Sequence, residues 1–278
     1  MNEKQFAAAA CALAAAACLA LNPEPRIPLW PEGKTPDFRA AQTSPYIEWL
    51  PASNRTSDAC AILISGGSYK TCCDGKWINL VAENLNALGV HCVRLIYRTP
   101  RPEGLPIWKT AWQDGQRAVR LVRREAAARG IDPEKIGAFG YSAGAHLTVL
   151  LATSSQTPTY EPVDDADALP CHVGWAVPVY PAYLLDDGLT GPNERMGLFS
   201  NLDSLFKFDA KTPPMFMLHG DKDYYSPMAS VLIYTELHRR KIPAQLFVYA
   251  NVSHGLGDAV NVKGWQRRIV DWIESIGF

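Results

Sequence analysis

The sequence predicts an α/β fold, a doubly wound and mainly parallel sheet with helices on both faces, and three observations predict it. Short continuous apolar runs, such as residues 61–64 and 90–97, suit strands that are covered on both sides. Segments with helical spacing alternate with these runs, as parallel strands joined by helical crossovers require. The pentapeptide Gly140-Tyr141-Ser142-Ala143-Gly144 falls between one such strand and one such helix.

The elements follow in order. Residues 21–44 are rich in Pro and irregular, and are expected to form an arm over the surface of a domain spanning residues 45–278. After the strand at 61–64, residues 77–88 carry helix formers and Gly89 stops them; the strand at 90–97 comes next. Residues 110–129 form a longer helix with Trp112, Val119, Val122 and Ala126 on one stripe and Gly130 beyond its end. A strand at 135–139, a helix at 143–152 and strands at 174–179 and 214–218 continue the alternation. Pro227 opens a helix reaching residue 240, a strand occupies 245–249, and a helix covers 265–276. The irregular stretch 181–212, with Leu184, Leu185, Phe206 and Phe208, is long enough to be expected to wall or cover part of a site.

Composition narrows the function. A length of 278 residues allows one large domain or two small ones, and the unbroken alternation favours one. Lys and Arg number 27 against 28 for Asp and Glu, so no positive surplus exists for a nucleic acid backbone or for anionic lipid. The near-neutral balance suits an uncharged substrate. Residues 6–21 form an alanine-rich apolar run shorter than the roughly 20 residues of a membrane span. It reads as a secretory signal peptide, residues 1–20, cut after Ala20, although Glu3 offsets Lys4; the expected location is secreted or periplasmic. A lipid anchor on Cys18 is the alternative. Without Cys11 and Cys18, Cys60, Cys72, Cys73, Cys92 and Cys171 remain, an odd set without C-x-x-C spacing, which argues against a zinc site and leaves any pairing open. Cys60 and Cys92 lie in strand-like runs, as small buried hydrophobes do.

The chemistry centres on Ser142. A strand before Gly-x-Ser-x-Gly and a helix after it make a sharp turn that projects the serine oxygen, with the helix N-terminus favouring a developing anion. A serine hydroxyl needs a base and a group that orients the base. The strand at 214–218 ends in His219-Gly220-Asp221-Lys222-Asp223, and the strand at 245–249 precedes Ser253-His254-Gly255. Ligands of open parallel sheets bind at the carboxyl ends of strands, so Ser142, Asp223 and His254 are expected to converge there, with His254 as general base. Asp221 competes with Asp223 for the acid position, and Asp186 and Asp187 are a more remote alternative. Ser65-Gly66-Gly67-Ser68-Tyr69 follows the strand at 61–64, where its main-chain N–H groups, with that of Ala143, would form an oxyanion hole. Tyr69 and Tyr141 flank these positions and are candidate substrate contacts. His146 is expected beneath the turn as a structural residue; His219, His91 and His172 are expected to pack or hydrogen-bond.

These motifs carry a resemblance. The chain resembles the α/β-hydrolases, and within them bacterial esterases related to acetylxylan esterases and feruloyl-esterase-like (BD-FAE-type) carbohydrate esterases. The likeness rests on Pro28-Leu29-Trp30-Pro31, the SGGSY loop at 65–69, Lys109-Thr110-Ala111-Trp112-Gln113-Asp114, GYSAGAHL at 140–147, HGDKDYYSP at 219–227 and Ser253-His254-Gly255. It implies an α/β-hydrolase fold without a large cap domain and the triad Ser142, Asp223 and His254. It also implies hydrolysis of short acyl esters, foremost acetyl, on carbohydrate, with no metal or organic cofactor. Ser65 and Ser68 replace the His and third Gly of an H-G-G-G loop, which leaves open whether Gly67 or Ser68 donates to the oxyanion. Feruloyl esters, a prolyl-oligopeptidase-like peptidase activity and a non-catalytic binding role are the alternatives. Oligomeric state is not readable.

Overall fold

The computed structural model describes residues 21–54, 56–72, 75–186, 200–256 and 264–277. The leader at 1–20 with Cys18, and likewise Cys73 and Asp187, lie outside the described residues. Eight strands form one sheet: β1 (Ile27–Pro28), β2 (Tyr46–Leu50), β3 (Cys60–Ile64), β4 (His91–Ile96), β5 (Ile136–Tyr141), β6 (Trp175–Val179), β7 (Met215–Gly220) and β8 (Ala244–Tyr249). Their spatial order is β1-β2-β4-β3-β5-β6-β7-β8. The two contacts made by β2 are antiparallel, and every pairing from β4 through β8 is parallel.

Among the described residues five α-helices accompany these strands, the first four between strands and the last after β8: α1 (Lys76–Ala87), α2 (Lys109–Ala126), α3 (Ala143–Thr153), α4 (Met228–Arg239) and α5 (Trp265–Ser275). Strand periodicity sorts the core into two halves. Ile62, Ile64, Val93 and Leu95 pack with Val119, Val122, Leu147, Leu151 and Ile233, so α2, α3 and α4 cover one face. Ala61, Leu63, Phe139, Val177 and Phe216 pack with Val81, Leu85, Ile269 and Trp272, so α1 and α5 cover the other. Burial on both sides explains the continuous apolar runs of β3 and β6. Cys60, Cys92 and Cys171 are buried free thiols. Among the described residues no helix is long and apolar enough to cross a membrane.

Several elements differ from the sequence reading. β2 was not foreseen, because Glu48 interrupts the run Tyr-Ile-Glu-Trp-Leu. Glu48 is buried and accepts from Arg94 Nη1 at 2.6 Å, a cross-strand pair on the neighbouring β4. The arm is not merely draped over the surface. Leu29 and Trp30 are buried in it, Trp30 Nε1 donates to Asp114 Oδ1 at 2.8 Å, and Arg117 Nε donates to the Leu29 carbonyl at 2.8 Å. Finally, β7 runs two residues further than expected, so His219 belongs to the strand and not to a turn.

Candidate active site

The turn at Ser142 is set by what its glycines permit. Ser142 has φ 54° and ψ −120°, a conformation that side-chain-bearing residues avoid and that marks functional turns. β5 leads into it and α3 leaves from it at once. A Cβ on Gly144 would lie 2.3 Å from the Ile64 carbonyl oxygen, and one on Gly140 would lie 2.4 Å from that of Gly144. Only hydrogen fits at either place, so strand, turn and helix can close on one another.

The ends of β5, β7 and β8 bring three predicted residues together. His254 Nε2 lies 2.9 Å from Ser142 Oγ, while His254 Nδ1 lies 2.8 Å from Asp223 Oδ2 and 3.0 Å from Oδ1. A carboxylate only accepts, so Nδ1 carries the proton and Nε2 is free to accept from the serine hydroxyl. Burial alone would raise the Asp223 carboxyl, but hydrogen bonds from His219 and His254 outweigh it and hold Asp223 below the ordinary carboxylate range. Its Oδ1 also accepts the Tyr225 main-chain N–H at 2.8 Å.

The competing carboxylates are placed elsewhere. Asp221 is exposed, and its Oδ1 accepts the Val252 N–H at 3.2 Å, which fixes the chain two residues before His254. Asp186 accepts from the main chain and side chain of Asn201. His219 is fully buried; its Nε2 donates to the Tyr225 carbonyl at 3.0 Å and approaches Asp223 Oδ2 at 3.4 Å, while Nδ1 accepts from Ser230. It thus braces the carboxylate. His146 lies buried below the turn, and burial pushes it down to about 3, so it is neutral there.

The SGGSY loop lies against Ser142 from the β3 side. A Cβ on Gly66 would come within 3.1 Å of Ser142 Cβ, and Gly67 has φ 118°, which only glycine adopts readily. The main-chain N–H groups of Gly67, Ser68 and Ala143 take no hydrogen bond among the described residues. Tyr69 and Tyr141 are both buried. The Tyr69 hydroxyl pairs with His146 Nδ1 at 2.7 Å, tying the loop to α3, while the Tyr141 ring packs edge-on against Phe139 and stacks on Tyr180.

Sequence reasoning missed the aromatic surround of His254. The rings of Tyr180, Tyr224 and Tyr225 have centroids 4.8, 4.6 and 5.3 Å from the His254 ring, and Tyr224 is exposed beside it. The pair Tyr224-Tyr225 directly after Asp223 was the available signal. Among the described residues no three His, Cys, Asp or Glu side chains cluster so as to hold a metal ion.

Comparisons with known proteins bear on the family and the fold. The BD-FAE family model matches residues 49–173, and the prolyl oligopeptidase family model matches residues 113–276, more than half of the chain. Endo-1,4-beta-xylanase B of Butyrivibrio fibrisolvens is 29% identical over 71% of this chain and 32% of that protein. Acetylxylan esterase of Xylanibacter ruminicola is 24% identical over 77% of this chain and 45% of that protein. The chain therefore spans less than half the length of these two relatives. The crystal structure of an acetyl ester-xyloside bifunctional hydrolase from Caldicellulosiruptor lactoaceticus superposes with a TM-score of 0.74 at 28% identity, covering 91% of this chain and 97% of that one. The chain belongs to the prolyl oligopeptidase family, whose model matches more than half of it, and with it to the α/β-hydrolases.

Proposed function

We propose that the protein is a serine esterase that removes short acyl groups, foremost acetyl, from the hydroxyls of polysaccharides or oligosaccharides. The hydrogen-bonded series Ser142 Oγ, His254, Asp223 carries this reading. Ser142 Oγ attacks the ester carbonyl while its proton passes to His254 Nε2, and Asp223 stabilises the imidazolium. The oxyanion forms against the N–H of Ala143 and that of Gly67 or Ser68. Collapse breaks the bond to the alcohol, which leaves with the proton from Nε2, and an acyl-Ser142 remains. Water then gives a proton to His254 Nε2 as it attacks the acyl carbon; the bond from that carbon to Ser142 Oγ breaks, Oγ takes the proton back from Nε2, and the carboxylic acid leaves.

The printed names of the relatives, a xylanase, an acetylxylan esterase and an acetyl ester-xyloside hydrolase, support an acetylated sugar as substrate. The exposed Tyr224 ring beside His254 supports it independently, since an exposed aromatic face next to the base suits packing against a sugar ring. The apolar run at residues 6–21 supports export, and recovery of full-length chain with an intact leader inside the cytoplasm would count against it.

The test is Ser142→Ala against wild type, on p-nitrophenyl acetate and on acetate release from acetylated xylan. Loss of a triad nucleophile is expected to lower kcat by about 10⁴- to 10⁶-fold. Equal turnover would overturn the mechanism. The BD-FAE match favours feruloyl esters as a second substrate, and the prolyl oligopeptidase match favours a peptidase. Ferulate release from feruloylated arabinoxylan, and cleavage of a prolyl p-nitroanilide, distinguish them from the acetyl reading.

A further inference from the structure

Gly67, Ser68 and Tyr69 have φ of 118°, 55° and 59°, the single run of three consecutive positive values among the described residues. Two of these residues bear side chains, and such a conformation persists only where the surroundings over-determine it. Part of the restraint is local: the N–H groups of Lys70 and Thr71 donate to the Gly67 carbonyl at 2.9 and 3.1 Å. Tyr69 is anchored by its hydroxyl on His146. The Ser68 carbonyl, between them, accepts from Arg101 Nε at 2.8 Å.

The same guanidinium reaches in a second direction. Arg101 Nη2 donates to the Tyr183 hydroxyl at 3.0 Å, and its Cζ lies 5.7 Å from the Tyr183 ring centroid. The Tyr183 and Tyr225 rings pack edge to face, with centroids 5.3 Å apart. Tyr225 in turn gives its main-chain N–H to Asp223 and takes the His219 imidazole on its carbonyl. Arg101, through its two hydrogen bonds and the Tyr183–Tyr225 ring contact, therefore links the loop beside Ser142 to the segment that holds the carboxylate behind His254. Among the described residues Arg101 has no carboxylate partner. Its charge is spent on a carbonyl and a hydroxyl.

We infer that Arg101 is a positioning residue for the proposed ester hydrolysis: it locks the left-handed main chain at Ser68 so that the loop's N–H donors stay aimed at the oxyanion, and couples that loop to the Asp223 side. The inference rests on the esterase reading. A lysine cannot replace it fully, because the planar guanidinium makes two divergent bonds at once and an ammonium on a flexible stem does not.

The experiment compares Arg101→Met, Arg101→Lys and Tyr183→Phe with wild type on p-nitrophenyl acetate, with thermal midpoints measured on the same samples. Misaimed oxyanion donors cost catalysis and not ground-state binding, so Arg101→Met is expected to lower kcat by about 30- to 100-fold with KM nearly unchanged. Arg101→Lys recovers part of that loss. Tyr183→Phe, which deletes only the hydroxyl that accepts from Arg101 Nη2, lowers kcat by about three- to tenfold and serves if the arginine variants do not fold. Labelling of Ser142 by a fluorophosphonate slows in the same order. An unchanged kcat in folded variants, or a loss confined to KM as for an arginine that binds a substrate anion, overturns the inference while wild type remains an active esterase. A wild type without esterase activity overturns the esterase reading itself.

Discussion

Asp114, beneath the N-terminal arm, and Asp223, behind His254, are both buried carboxylates held by nitrogen donors, yet their surroundings shift them in opposite directions. Burial raises Asp114, and Arg98 and Trp30 offset only part of it. Asp223 is also raised by burial, but His219 and His254 reverse the sign. The partners explain the contrast in use. Arg98 donates Nε to Asp114, and it also donates to the carbonyls of Pro36 and Thr110 and to Gln113, a fixed charge in a fixed cage. In the proposed mechanism the imidazole of His254 gains and loses a proton within a turnover. One carboxylate pins an arm and a helix together; the other waits beside a group whose charge changes.

The largest effect that separates the two regions is expected at Asp223. Asp223→Asn keeps shape but removes the charge that orients His254 and stabilises its imidazolium, so kcat should fall by about 10⁴-fold while the fold loses only the modest contribution of the charged carboxylate and stays folded at assay temperature. Steady-state kinetics with a melting curve checks both halves, and a variant that is stable and fully active would erase the distinction. At Asp114 the reverse is expected. Asp114→Ala strands a buried guanidinium and the Trp30 N–H, which should cost about 3–5 kcal/mol of stability in urea unfolding, while kcat per folded molecule holds. A loss of kcat without loss of stability would show that the arm and the site are coupled.

Acidification sharpens the comparison further. Asp223, depressed in the fold, contributes stability present above its unfolded value of about 3.9 and lost as pH falls through its folded value. Asp114, raised in the fold, works the other way and favours folding as pH falls through its raised value. His146 sets the sum between them. Pushed down to about 3 by burial, it must stay neutral while the unfolded chain takes up a proton below about 6.5, so stability is lost on the acid side. Urea unfolding at pH 7 and pH 5 should differ by about 2 kcal/mol in wild type and by less in His146→Gln. An equal pH 7 to pH 5 difference in wild type and His146→Gln would contradict a neutral, buried His146.

The same contrast marks what the sequence discloses. The turn at Ser142 was legible because Gly140 and Gly144 leave a local signature on either side of it, and Asp223 and His254 because each follows a strand whose apolar run is continuous. The burial of Asp114, Arg98 and Arg117 was not legible, since charged residues read as a solvated helix face and Trp30 lies 84 residues from its acceptor. β2 escaped for the same reason, its Glu48 being satisfied by Arg94 across the sheet. Arg101, Tyr183 and Tyr225 lie in loops, where no periodicity announces that three separate segments meet.

The central claim is that Ser142 is the nucleophile activated by His254 and Asp223. Peptide mapping by mass spectrometry after a short exposure of the folded protein to a fluorophosphonate tests it most directly. The account predicts one adduct per chain, on Ser142, formed rapidly in wild type, slowly in Asp223→Asn and not at all in Ser142→Ala. An adduct on another residue, or folded wild-type protein that takes none, would contradict it.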